Sequence, residues 1–235
     1  MLSIGRAGRD LIAGLPLLLA VACAARRLFG LPPAYVLQAV ALYALLAALV
    51  VRAAPAVLPG AGLGAANRVT LGRATLVLPV AALALHAGRL DAPAYWWIVA
   101  ASTAALILDG VDGWMARRTG SATAFGARFD MELDAFLMLA LSALVWLGGR
   151  AGPWVLLIGA LRYLFVAAGR LRPALRAALP PSRRRKVVCV VEGAVLVSCL
   201  APVMPGVAVG PAAAGALALL VYSFAVDVRW LVRHV

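Results

Sequence analysis

Between Asp109 and Asp134 runs DGVDGWMARRTGSATAFGARFDMELD, which holds Asp109, Asp112, Asp130, Glu132 and Asp134, five of the nine acidic residues in the chain. Asp109 and Asp112 are three apart, so on a helix they share a face that Ala116 continues. Asp130 and Asp134 are four apart and align with Gly126 one turn earlier, whereas Glu132 is turned off their face. If the turn RRTGSAT joins two helices, four carboxylates can converge at their ends. Two like charges about 4 Å apart repel by roughly 4 kcal/mol at an effective dielectric near 20, so a cation must compensate. Arg117 and Arg128 are at hand, but oxygen-only ligands without His or Cys suit a hard divalent ion, Mg²⁺ or Mn²⁺, one or two of them. Such ions commonly bridge phosphates, which points to chemistry at a diphosphate. Gly113 and Gly126 would let a ligand approach the backbone and Ala116 keeps the face open. Gly113, Ala116 and Gly120 also have the spacing of a small-residue packing seam, and the pattern alone leaves both readings standing.

The elements that position these residues are set by composition. The 235 residues are 65% hydrophobic and 13% charged, with a mean hydropathy of +0.99. That excess over the needs of a soluble core marks an integral membrane protein. The net charge of +13 does not indicate nucleic acid, because the basic residues lie between apolar spans without a basic domain or interleaved aromatics. Cys23, Cys189 and Cys199 sit in apolar runs without CxxC spacing, and His86 and His234 are isolated, so neither type offers a metal site.

A bilayer core about 30 Å thick needs about 20 apolar residues per helix. Eight spans are expected, near 11–28, 34–53, 69–88, 93–116, 129–149, 152–170, 187–205 and 208–228, separated by Pro- and Gly-containing gaps. The fold class is all-α, a polytopic membrane bundle. Residues 1–60 form an accessory segment of two helices, and 61–235 a six-helix unit that carries the acids. Arg6 and Arg9 ahead of an apolar run that ends in VACAA would suit a cleaved leader, but a second span follows directly and favours a retained helix. The basic stretch RLRPALRAALPPSRRRK, 170–186, should stay cytoplasmic, which puts both termini and the acidic stretch on that side. Tyr95, Trp96, Trp97, Trp114 and Trp230 fall at span ends and read as interfacial belt residues.

Taken together, Asp109-x2-Asp112-Gly113-x2-Ala116-Arg117-x8-Gly126-x3-Asp130-x3-Asp134 resembles the signature of the CDP-alcohol phosphotransferases, with eight fixed residues over 26 positions and no deviation. The resemblance covers roughly 67–232, and LRYLFVAAGR, 161–170, is loosely similar to the Arg-x7-Arg of the family's phosphatidylglycerophosphate synthase-like members. It implies that a CDP-linked donor loses CMP to a hydroxyl acceptor. It assigns Asp109, Asp112 and Asp130 to the metals, and Asp134 both to a metal and to deprotonation of the acceptor. It places Gly113, Ala116 and Gly126 around the cytidine and Arg117 near the diphosphate. It also suggests a homodimer; with the acidic stretch on the side where the basic loops stay, the expected location is a bacterial inner membrane with the active site facing the cytoplasm.

Upstream, NRVTLGR is similar to the family's Asn-x-x-Thr-x-x-Arg opening, so Asn67, Thr70 and Arg73 would line the nucleotide site; a helix N-cap followed by topogenic arginines is the plainer alternative. Arg162 lies inside a span, where an unpaired Arg costs about 2.5 to 3.5 kcal/mol, so a partner is expected. Arg162 and Arg170, with Arg183 and Lys186 opening the next helix, form a candidate basic pocket for a phosphorylated acceptor. Topology and contact with anionic lipid account for Arg183 to Lys186 equally well. Glu192 is on hand to pair with one of these arginines. The leading function is phosphatidyl transfer from CDP-diacylglycerol to a small polar alcohol. The alternatives are transfer from a soluble CDP-amino alcohol to diacylglycerol and, in another class, a cation transporter.

Overall fold

The computed structural model describes residues 2–54, 63–118, 123–177 and 179–234, with the backbone alone at 2–7 and 112–117. The described residues form eight α-helices: α1 (Leu2–Leu28), α2 (Pro33–Ala53), α3 (Ala65–Leu83), α4 (Ala92–Arg118), α5 (Ala124–Leu147), α6 (Leu156–Leu171), α7 (Arg183–Leu200) and α8 (Gly206–His234). Short 3-10 turns cover 84–89, 153–155 and 173–176, and the described residues contain no strand. Six helices, α1 to α4, α6 and α8, have segments long and apolar enough to cross a membrane. The other two carry charge at their N-terminal ends, Arg128 to Asp134 on α5 and Arg183 to Lys186 on α7.

The chain divides into two compact units, Met1–Leu137 and Met138–Val235. In the first, α1 and α2 pack on each other and both pack on α3, which also packs on α4. The α3 span is 61% buried, against 22–28% for the other five spans, so α3 is the enclosed helix of this unit. That explains a sequence without a polar stripe: a helix surrounded by protein needs apolar residues all round, and its few polar residues need partners. Pro79 interrupts α3 near its end, and Tyr35 on α2 donates its hydroxyl to the Pro79 carbonyl at 3.2 Å. Tyr43 donates to the Leu11 carbonyl at 2.6 Å, tying α2 to α1. Gly14 lies against the Tyr43 hydroxyl, leaving no space there for a Cβ.

Local sequence sets the helix starts. Asp91 accepts from the Ala94 N–H at 3.0 Å and caps α4; Thr123 accepts from the Gly126 N–H at 3.0 Å and caps α5. Gly64, at φ 86°, makes the turn into α3 in a conformation that side chains disfavour. In the second unit, Gly159 of α6 sits on the Leu139 backbone of α5, and Arg150 donates to the Cys199 and Ala201 carbonyls at 2.7 and 2.9 Å, satisfying the α7 C-terminus.

Candidate active site

The site is built on α3, α4 and α5. Asn67, Thr70 and Arg73 recur every three residues on α3 and are all buried. Thr70 donates back to the Ala66 carbonyl at 3.2 Å, and Asn67 Nδ2 donates to the Leu63 carbonyl at 2.7 Å. Asn67 Oδ1 then faces α5, where a Cβ on Gly126 would lie 2.5 Å from it and 3.1 Å from Thr123 Oγ1. Only a residue without a side chain lets these two helices approach so closely.

One turn on, Arg73 is fully enclosed. A buried guanidinium is costly unless every N–H is met and its charge balanced. Its Nε donates to the Ala105 carbonyl on α4 at 3.1 Å, Nη1 reaches Asp130 and lies 3.0 Å from Asp109, and Nη2 reaches Asp134. The planar fork is suited to such divided contact, and a lysine would not reproduce it. Asp109, Asp130 and Asp134 each offer a carboxylate oxygen, and these atoms lie within 4.8 Å of one another. All three are partly exposed, so the cluster opens to a ligand on the side away from Arg73.

The expected convergence of Asp109, Asp130 and Asp134 is therefore present, and Glu132 is exposed, as its position off their face requires. The side chains of Asp112, Gly113, Ala116 and Arg117 lie outside the described residues, although their backbone continues α4. Arg73, expected beside the nucleotide, has its guanidinium on the carboxylates. Arg73 takes the part of compensating cation that the sequence offers at Arg117 and Arg128, and Arg128 is exposed. The missed signal was Arg73 itself, a charge inside the most enclosed span.

Arg162 and Arg170 lie on α6, and Arg183 and Lys186 open α7; Arg170, Arg183 and Lys186 are exposed. Between the latter two, Arg184 donates to the Ser223 carbonyl at 2.6 Å and to Asp227, and Arg185 lies 3.2 Å from Asp227. Asp227 on α8, which the sequence did not single out, thus takes the pairing expected of Glu192. Glu192 is buried on α7, and its Oε1 has no hydrogen-bond partner among the described residues.

The sequence matches the CDP-alcohol phosphatidyltransferase family over residues 63–227, well over half the chain and every residue of the carboxylate site. The chain belongs to that family. Comparison with curated proteins and with solved structures returned no match. Membership makes the protein a transferase of substituted phosphate groups, with a CDP-linked donor and an alcohol acceptor in a membrane, and the family depends on divalent metal. The residues present fit such an ion. The donors are all carboxylate oxygens, the preference of a hard cation, and they lie within 4.8 Å of one another. The match begins after α2, so both N-terminal helices lie outside the region that defines the family.

Proposed function

We propose that the protein transfers the phosphatidyl group of CDP-diacylglycerol to the hydroxyl of a small polar alcohol, phosphorylated or not, with release of CMP. The observation that carries this reading is the carboxylate cluster, three oxygen ligands within 4.8 Å of one another that suit a divalent metal and, through it, a diphosphate. Asp109, Asp112, Asp130 and Asp134 would hold Mg²⁺ or Mn²⁺, as two ions. Bound there, the ions would neutralise charge on the diphosphate and lower the pKa of the alcohol.

The chain's own residues do the rest. Asp134 takes the proton of the acceptor hydroxyl on a carboxylate oxygen, and Arg73 holds that carboxylate in place. The alcohol oxygen bonds to the β-phosphorus as the bond to the CMP oxygen breaks, so the rate depends on alignment and charge neutralisation. Asn67, Thr70 and Arg73 would line the nucleotide side, with Gly113, Ala116, Arg117 and Gly126 as the family resemblance implies. Arg162, Arg170, Arg183 and Lys186 form the candidate acceptor pocket. The excess of Arg and Lys in the loops on one side supports an active site facing the cytoplasm of a bacterial inner membrane, and the protein works there as a homodimer. A transporter would spread acids through the depth of the membrane on several helices, whereas Asp109, Asp130 and Asp134 share one cluster.

The test is CMP release by the purified protein in lipid nanodiscs, with CDP-diacylglycerol or a CDP-amino alcohol as donor, a panel of acceptors, and Mg²⁺ or Mn²⁺. CMP from CDP-diacylglycerol with one acceptor class, abolished by Asp134→Asn, is the expected result. CMP only from a CDP-amino alcohol with diacylglycerol would overturn the donor, and full turnover by Asp134→Asn would overturn the base.

A further inference from the structure

Asp10, on α1 and outside the family match, reaches into the start of α3. Its Oδ2 accepts from the Leu63 N–H at 2.7 Å, and its Oδ1 lies 3.0 Å from Arg68 Nε. The other backbone polar group of Leu63 is also held, its carbonyl accepting from Asn67 Nδ2 at 2.7 Å. An amide side chain has a donor end and an acceptor end. With Nδ2 committed to Leu63, Oδ1 is turned towards Gly126, whose Cβ position lies 2.5 Å away. Leu63 itself is buried, and Gly64 beside it occupies positive φ, a backbone that needs an anchor to hold one conformation.

We infer that Asp10 is a positioning residue: through the Leu63 backbone it fixes the orientation of Asn67 against Gly126, making the N-terminal helix pair a functional part of the nucleotide side of the site. The two contacts of Asp10 are unequal. Arg68 is 53% exposed, so its ion pair is screened and contributes little. The bond to Leu63 is charge-assisted, part-buried and directed at a backbone donor that has no helical partner ahead of α3. The rest of the attachment supports the same division. Tyr43 to Leu11, Tyr35 to Pro79, and His86 to Gln38 at 2.8 Å fasten α1 and α2 together and to α3 and the 3-10 turn after it, but none touches the loop before Asn67.

The catalytic consequence rests on the proposed transfer reaction; the structural one does not. Asp10→Ala is expected to raise the KM for the CDP-linked donor about five- to tenfold with kcat changed less than twofold, because an ordering contact of the nucleotide site is loosened. Asp10→Asn keeps an acceptor for the Leu63 N–H while losing the charge, and is expected to restore KM to within twofold of the parent. Asn67→Ala should raise the same KM, and combining it with Asp10→Ala should add less than twofold, since both act through one contact. Independent multiplication of the two effects, or an unchanged KM in Asp10→Ala, would overturn the inference. Amide exchange of the full-length protein in nanodiscs reads the tie without any turnover: Asp10→Ala should raise exchange over 63–67 at least tenfold and leave α2 unchanged. If the parent releases no CMP the transfer reading fails, yet this exchange result still decides the tie. Unchanged exchange over 63–67 sinks it.

Discussion

Removing the Arg73 side chain would leave Asp109, Asp130 and Asp134 facing one another without the guanidinium that touches all three. Breaking a buried ion pair costs about 3 to 5 kcal/mol, and the low end, about 3 kcal/mol, applies because the carboxylates are 20–34% exposed to begin with. Arg73→Ala should therefore unfold at a lower temperature in detergent. Mn²⁺ should recover more stability in the variant than in the parent, because the orphaned charge becomes metal-binding charge. A variant equally stable with and without Mn²⁺ would contradict this account. Gly126→Ala separates space from stability at a second residue. Alanine favours a helix interior by about 0.8 to 1.0 kcal/mol over glycine, but here its Cβ meets Asn67 Oδ1 at 2.5 Å. Donor KM should rise at least fivefold while the melting temperature falls by no more than a few degrees, measured by parallel kinetics and thermal scans. The aspartates were legible because three- and four-residue spacing fixes a helix face. Arg73 was not legible as their partner, since it sits 36 residues before Asp109, and no spacing rule links helices that far apart in sequence.

At the level of the helices, length and hydropathy located all eight, and polar ends blurred the boundaries. α5 was expected from 129 and begins at Ala124, because Thr123 caps it and the charged turn from Arg128 to Asp134 continues the helix. A hydropathy window stops at those charges, whereas the backbone hydrogen bonds do not. Packing between helices was equally hidden. Gly159 reads as one more glycine in an apolar run, yet its Cβ position falls on the Leu139 backbone, where nothing flexible can give way. Gly159→Ala should force α5 and α6 apart at a cost of about 1 to 3 kcal/mol. The measurement is loss of melting temperature, with the donor KM unaffected in the fraction that remains folded. Tyr43→Phe, losing one bond to the Leu11 carbonyl, should cost only about 1 kcal/mol by the same assay.

For the molecule as a whole, the region that defines the family does not coincide with what is packed together. The match starts at residue 63, but α3 is enclosed by α1 and α2 as well as by α4. Truncation to 63–235 exposes the side of α3 on which α1 and α2 pack, including the Pro79 carbonyl that accepts from Tyr35. The shortened chain should give less than a tenth of the monodisperse protein obtained from the full chain, judged by size-exclusion profile; equal yields would show that α3 needs no such cover. The sequence marked residues 1–60 as accessory because they hold no chemical motif. Their single acid, Asp10, draws its meaning from the partner it meets in the folded chain. That contact bears on protein engineering: a foreign membrane anchor placed ahead of the transferase region is expected to need a group that takes the place of Asp10. A chimera would have to bring a carboxylate or amide oxygen to the amide of residue 63, and a library of anchors selected for turnover should enrich for Asp or Asn at that one junction.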